Sequence, residues 1–289
     1  MTPREAARFI AAADARARHV RTGAAGAQVV WRLFGSGTPL VLLHGGFGSW
    51  LHWLPVVEEL EGAFHLAIPD MPGFMESDPV PADATPGLLA DRLAGGLDEL
   101  FAPPAAIGVA GFSFGGLVAV HVARRLGRRV AGLALIAGGG LGEERDPVDL
   151  RSRRPDMTPE EQRAVAAHNL KAFMIADPCR VDALAVEIQQ RNTARRPGLN
   201  SRVFSRTRSA LDMLPDVTAP VAAIWGTRDP TVGEHLAARR MAVEAAASAL
   251  TDALPGCGHW IMQERPAELA AFLKKALGTE PRPDGGGRG

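Results

Sequence analysis

Short, predominantly apolar runs recur along the chain, separated by stretches of helical periodicity, and this alternation restricts the fold more than any other feature. The runs lie at residues 28–34, 40–43, 64–68, 107–110, 130–136 and 221–225. They are shorter than helices and more apolar than strands with one wet face, as expected of strands covered on both sides. Residues 53–60, 87–101, 117–126 and 235–246 read as helices between them. Residues 266–277 close the series, with Pro266 in the first turn and Gly278 after the end. Strands alternating with helices build a mainly parallel sheet with right-handed crossovers, an α/β fold flanked by helices. At 289 residues and 46% apolar content, the chain can bury one large core.

The alternation breaks once. Residues 141–216 hold no strand-like run, and Thr158-Pro159-Glu160-Glu161 is a helix start with an N-cap, a proline and first-turn acids. We read this stretch as a helical cap inserted between two sheet strands. The core is then 23–140 and 217–278, preceded by a helical extension over 1–22. Residues 279–289, with Gly285, Gly286 and Gly287, read as a disordered tail.

Composition narrows the function classes. Thirty-two basic residues balance thirty-two acidic ones, and the short arginine patches at 151–154 and 195–196 read as solvated surface, so no nucleic-acid partner is implied. No apolar run approaches the ~20 residues of a membrane span. The first twenty residues lack the apolar core of a secretory signal. Two cysteines, Cys179 and Cys257, offer no disulfide framework. The expectation is a cytoplasmic protein acting on a small molecule. No Cys/His cluster has metal-ligand spacing and no cofactor is called for.

Four segments carry chemistry. Gly111-Phe112-Ser113-Phe114-Gly115 stands where an apolar run gives way to a helix. A serine on such a turn is held exposed in a strained conformation, with a helix N-terminus behind it. His44-Gly45-Gly46-Phe47-Gly48 follows an earlier strand. It is placed to supply an N–H donor for an oxyanion, from Gly46 or alternatively Phe47, with Phe114 supplying the other. His44 reads as a brace for this loop. Asp229 follows the strand at 221–225 and can orient a histidine, with Asp70 as the rival acid. His259, in Gly256-Cys257-Gly258-His259-Trp260, is the base; the histidines at 19, 52, 65, 121, 168 and 235 read as structural.

In the order oxyanion loop, Ser, Asp, His, these segments resemble the α/β-hydrolase superfamily from about residue 28 to 277. The resemblance implies that fold with an inserted helical cap, and Ser113, Asp229 and His259 as catalytic triad. Serine in place of aspartate at 113 separates the chain from haloalkane dehalogenases and epoxide hydrolases. The absence of tyrosine removes the ring-opening acids of the latter. The cap resembles that of the meta-cleavage-product hydrolases at Phe173-Met174-Ile175-Ala176-Asp177-Pro178, at Gln190-Arg191-Asn192-Thr193-Ala194-Arg195 and at Cys257-Gly258-His259-Trp260. That resemblance implies Arg191 as a substrate-carboxylate anchor and Trp260 as pocket lining. The plain alternatives are an Arg191–Glu187 ion pair and a packed indole. Phe112 and Phe47 stand where that family has polar or proline residues, and they suit an apolar acyl group. Hydrolysis of a small, largely apolar carboxylic ester is therefore the first expectation. Carbon–carbon hydrolysis of meta-cleavage products is the second, and a non-catalytic ligand-binding protein is a distant third.

Overall fold

The computed structural model describes residues 1–142, 147–194 and 198–278. Eight strands form one sheet: β1 (Arg18–Thr22), β2 (Val29–Phe34), β3 (Thr38–Leu43), β4 (Phe64–Asp70), β5 (Ile107–Phe112), β6 (Val130–Ile136), β7 (Val221–Gly226) and β8 (Leu250–Leu254). Their spatial order is β1-β2-β4-β3-β5-β6-β7-β8. The β1–β2 and β2–β4 pairs are antiparallel and every other pair is parallel. The helices are α1 (Pro3–Arg16), α2 (Val57–Leu60), α3 (Pro86–Leu100), α4 (Phe114–Leu126), α5 (Pro159–Asn169), α6 (Ala183–Asn192), α7 (Ser201–Ser205), α8 (Ser209–Met213), α9 (Leu236–Ala247), α10 (Ile261–Glu264) and α11 (Pro266–Leu277).

The six apolar runs all become strands, and β2, β5 and β7 are buried along their whole length. The two unforeseen strands, β1 and β8, form the sheet edges, where one row of backbone groups and much of the side-chain surface stay wet. Arg18-His19-Val20-Arg21-Thr22 therefore needs no apolar run to be a strand. This corrects the helical reading of residues 1–22. The helix ends at Arg16 and the chain joins the sheet at Arg18. A second correction concerns 53–60, which is split into 3₁₀ turns at Trp50–His52 and Leu54–Val56 before the single turn of α2. Pro55 lacks the N–H that a continuous helix would use.

α1 starts with a capping box of Thr2 and Glu5 and buries Ala6, Ile10 and Ala13 along one face. It is tied to the sheet through Arg32, which is 2% exposed. The Arg32 guanidinium meets Asp14 at 2.8 Å, Asp70 at 3.1 Å and Glu76 at 2.8 Å. Between β6 and β7 the described residues form helices only, α5 to α8 with short 3₁₀ and π turns. This is the inserted cap, and it sits over the carboxyl ends of the parallel strands. The arginine pair at 195–196 and the tail at 279–289 lie outside the described residues. No helix among the described residues is long and apolar enough to cross a membrane.

Candidate active site

Ser113 is the residue at which β5 ends and α4 begins. Its backbone has φ 52° and ψ −119°, a left-handed region that costs a side-chain-bearing residue about 1–3 kcal/mol. The surroundings hold it there. The Ser113 N–H donates to the Ile136 carbonyl at 2.9 Å, and the Ser113 carbonyl accepts from Gly139 at 2.8 Å and from Gly116 at 2.9 Å. The turn closes so tightly that a side chain at Gly115 would strike the carbonyls of Leu43 and His44. The result is a serine that keeps accessible surface amid buried neighbours.

His259 and Asp229 arrive from two other loops. Asp229 lies three residues past β7, His259 five residues past β8. His259 Nε2 is 3.0 Å from Ser113 Oγ, and Nδ1 is 2.7 Å from Asp229 Oδ2. With Nδ1–H donating to the carboxylate, Nε2 is left to accept from the serine hydroxyl. Asp229 Oδ1 also accepts from the Thr231 N–H at 2.7 Å. Burial alone would raise the Asp229 carboxyl, but the neighbouring His259 and the two hydrogen bonds hold it below its ordinary value.

The loop after β3 completes the constellation. His44 Nε2 accepts from the Met71 N–H at 3.0 Å and its Nδ1–H donates to the Gly45 carbonyl at 2.8 Å. The Gly45 N–H donates to Nδ1 of His52 at 3.3 Å. Both histidines are thereby fixed neutral. Burial pushes His44 down to about 4, and burial with the neighbouring His44 and His259 pushes His52 well below its ordinary value. Among the described residues no hydrogen bond occupies the N–H of Gly46, Phe47 or Phe114. Phe114 is the first residue of α4, whose N–H has no partner within the helix.

Residues 40–272 match the model of the alpha/beta hydrolase family, four-fifths of the chain. The chain belongs to that family. Among similar proteins is the dihydrolipoyllysine-residue acetyltransferase component of the acetoin cleaving system of Pseudomonas putida. It is 28% identical over 83% of this chain, which spans only 64% of that protein's length. The 2-hydroxy-6-oxo-6-phenylhexa-2,4-dienoate hydrolase of Burkholderia cepacia is 26% identical over 80% of this chain and 84% of its own. An esterase of known structure from Rhodococcus sp. ECU1013 superposes with a TM-score of 0.73 at 22% identity, covering 91% of this chain and 99% of its own.

In this member of the family the cap reaches the site at three points. Phe173, in the π turn Leu170–Met174, places its ring 5.4 Å from that of His259. Ser201 of α7 lies against Gly46, and Arg202 stacks over the Phe47 ring at 5.2 Å. Behind the loop, Ser49 Oγ donates to buried Asn192 of α6 at 2.6 Å.

The four expected substrate contacts separate into two kinds. Phe112 is 1% exposed and Trp260 0%, so neither offers a surface to a ligand, which corrects the pocket-lining reading. The Phe112 ring lies 4.9 Å from His259 and forms a shelf beneath it. The Trp260 indole N–H donates to the His52 carbonyl at 2.9 Å. Phe47 keeps partial access, with φ 52°. Arg191 is 40% exposed and donates to Glu187 at 2.8 Å, the i,i+4 ion pair; none of its contacts reaches Ser113 or His259. The rival acid Asp70 is engaged by Arg32 and the Trp50 N–H instead of a histidine. Cys257 is pushed up to about 12 by burial and the nearby Glu264 charge, and stays an unreactive thiol. His52, read as structural, braces the Gly45 N–H, whereas Glu264 is not singled out by the sequence because it acts on backbone groups brought close only by the fold.

Proposed function

We propose that this chain is a serine hydrolase that cleaves a carboxylic ester of a small, largely apolar substrate through an acyl-enzyme. The carrying observation is the continuous chain Ser113 Oγ, His259 Nε2, His259 Nδ1, Asp229 Oδ2, at 3.0 and 2.7 Å. Ser113 Oγ attacks the ester carbonyl while its proton passes to His259 Nε2. The imidazolium that forms is stabilised by Asp229, which stays ionised. The N–H groups of Gly46 and Phe114 receive the oxyanion. His259 then returns the proton to the leaving alcohol. Water attacks the acyl-enzyme with His259 again as base, and the acid leaves with Ser113 restored. Phe47 and Phe173 give the acyl group apolar surfaces beside these atoms.

A second reading has the same residues hydrolysing a carbon–carbon bond in a meta-cleavage product. It is favoured by the similarity to the Burkholderia cepacia dienoate hydrolase across most of both chains. The separating experiment is steady-state turnover of short-chain p-nitrophenyl esters and one meta-cleavage dienoate, by wild type and Ser113→Ala. Ester turnover abolished in a folded variant supports the first reading. A strong preference for the dienoate supports the second. A folded Ser113→Ala protein that keeps full activity rejects both.

A further inference from the structure

Glu264 is a carboxylate where an apolar residue would be expected: 1% exposed, in the single turn of α10. Its oxygens accept three backbone N–H groups. Oε2 takes that of Gly258 at 2.6 Å, and Oε1 takes those of Ala176 at 3.1 Å and Asp177 at 2.8 Å. Gly258 immediately precedes His259, whereas Ala176 and Asp177 belong to the cap. The same junction is sewn by the Trp260 N–H, which donates to the Met174 carbonyl at 2.7 Å. The approach is close enough that a Cβ at Gly258 would lie 2.7 Å from the Ala176 nitrogen, 2.7 Å from Glu264 Oε2 and 3.0 Å from the Met174 carbonyl oxygen.

We propose that Glu264 is a positioning residue that clasps the cap to the histidine loop, so that His259 is correctly aimed at Ser113 only while the cap is seated. The physical case is the polarity of the junction. One buried and two half-buried N–H donors from two separate segments converge on one buried carboxylate, and such charge-assisted hydrogen bonds are about twice as strong as neutral ones. If cap and core part at this point, the Ala176 and Asp177 N–H groups and Glu264 Oε1 lose their partners together, while the Gly258 bond, made within the core, stays. Phe173 precedes Met174 and lies against the His259 ring, so the clasped segment also holds one face of the imidazole. Cap seating and triad alignment are thus one event, not two.

This inference rests on the serine-hydrolase reading, and the test keeps the two apart. Glu264→Gln retains size but turns an amide N–H toward an N–H donor. Gly258→Ala leaves the carboxylate intact and wedges the junction open. Each variant, checked as folded by circular dichroism and thermal melting, should lose about 10²-fold in kcat on a short-chain ester with KM within about twofold. The low-field proton resonance of the His259–Asp229 hydrogen bond should weaken in parallel. Wild-type kcat in either folded variant, or a loss confined to KM, overturns the positioning role. Should both variants fail to fold, amide exchange of the wild-type protein decides. Ala176, Asp177 and the backbone N–H of Trp260, whose bonds all cross the junction, should exchange at a common rate, and independent rates overturn the clasp. Absence of any Ser113-dependent turnover in wild type would instead reject the hydrolase reading, leaving the exchange result to speak for the clasp alone.

Discussion

Phe173 of the cap and His259 of the core stand with ring centroids 5.4 Å apart at 54°. The candidate base is therefore enclosed between a cap ring on one side and Phe112, at 4.9 Å, on the other. Aromatic contacts of this kind contribute about 0.5–1.5 kcal/mol beyond burial. Phe173→Ala should accordingly lower ester kcat by about 2–10-fold, with Phe173→Leu intermediate. Stopped-flow or steady-state kinetics on one ester checks this. Unchanged kcat in a folded Phe173→Ala enzyme would mean the core shelf alone positions the imidazole.

The loop after β3 should make the protein acid-sensitive. His44 falls from 6.5 to about 4 in the folded state, and His52 is lowered too. Between those values the unfolded chain binds protons that the folded chain refuses. Stability is thus fully present above pH 6.5 and is lost as pH falls toward 4. For His44 the displacement corresponds to about 3 kcal/mol. Asp70, pushed up to about 6 by burial despite Arg32, takes up a proton over the same range and offsets part of the loss. Urea unfolding at pH 7, 6, 5 and 4.5 should give a falling midpoint. His52→Asn, which keeps an acceptor for the Gly45 N–H without titrating, should flatten the fall. A midpoint independent of pH would refute the account.

Arg191 and Arg202 should behave differently. Arg191 is occupied by Glu187 in a half-exposed pair of the kind that contributes only a few tenths of a kcal/mol. Arg191→Ala should therefore alter kcat/KM by less than about twofold for neutral esters and carboxylate-bearing dienoates alike. Arg202 lies over Phe47 in the loop after β3. If the protein accepts the dienoate, Arg202→Ala should raise its KM by about tenfold, the value of one charged hydrogen bond, and leave neutral esters unaffected. A selective effect at Arg191 would reverse these assignments.

The parts that were legible in the sequence share a local cause. Strands buried on both faces need apolar runs, so β2 to β7 announce themselves. The turn at Ser113 needs small neighbours because strand and helix converge within a few residues, so Gly111-Phe112-Ser113-Phe114-Gly115 is readable as a unit. The edge strands β1 and β8 were invisible because solvated strands need no such pattern.

The sequence by itself determined the layered α/β architecture, the helical cap and the candidate residues Ser113, Asp229 and His259, since each depends on side-chain type and on spacing along one short segment. Tertiary structure alone decided which side chains face the site. Phe112 and Trp260 turned inward, Arg191 went to Glu187, and Glu264 gathered N–H groups from positions 176, 177 and 258. Those outcomes hinge on how the cap docks on the core. Docking is a sum of many weak contacts and a few buried hydrogen bonds between segments far apart in sequence, and no local periodicity encodes it.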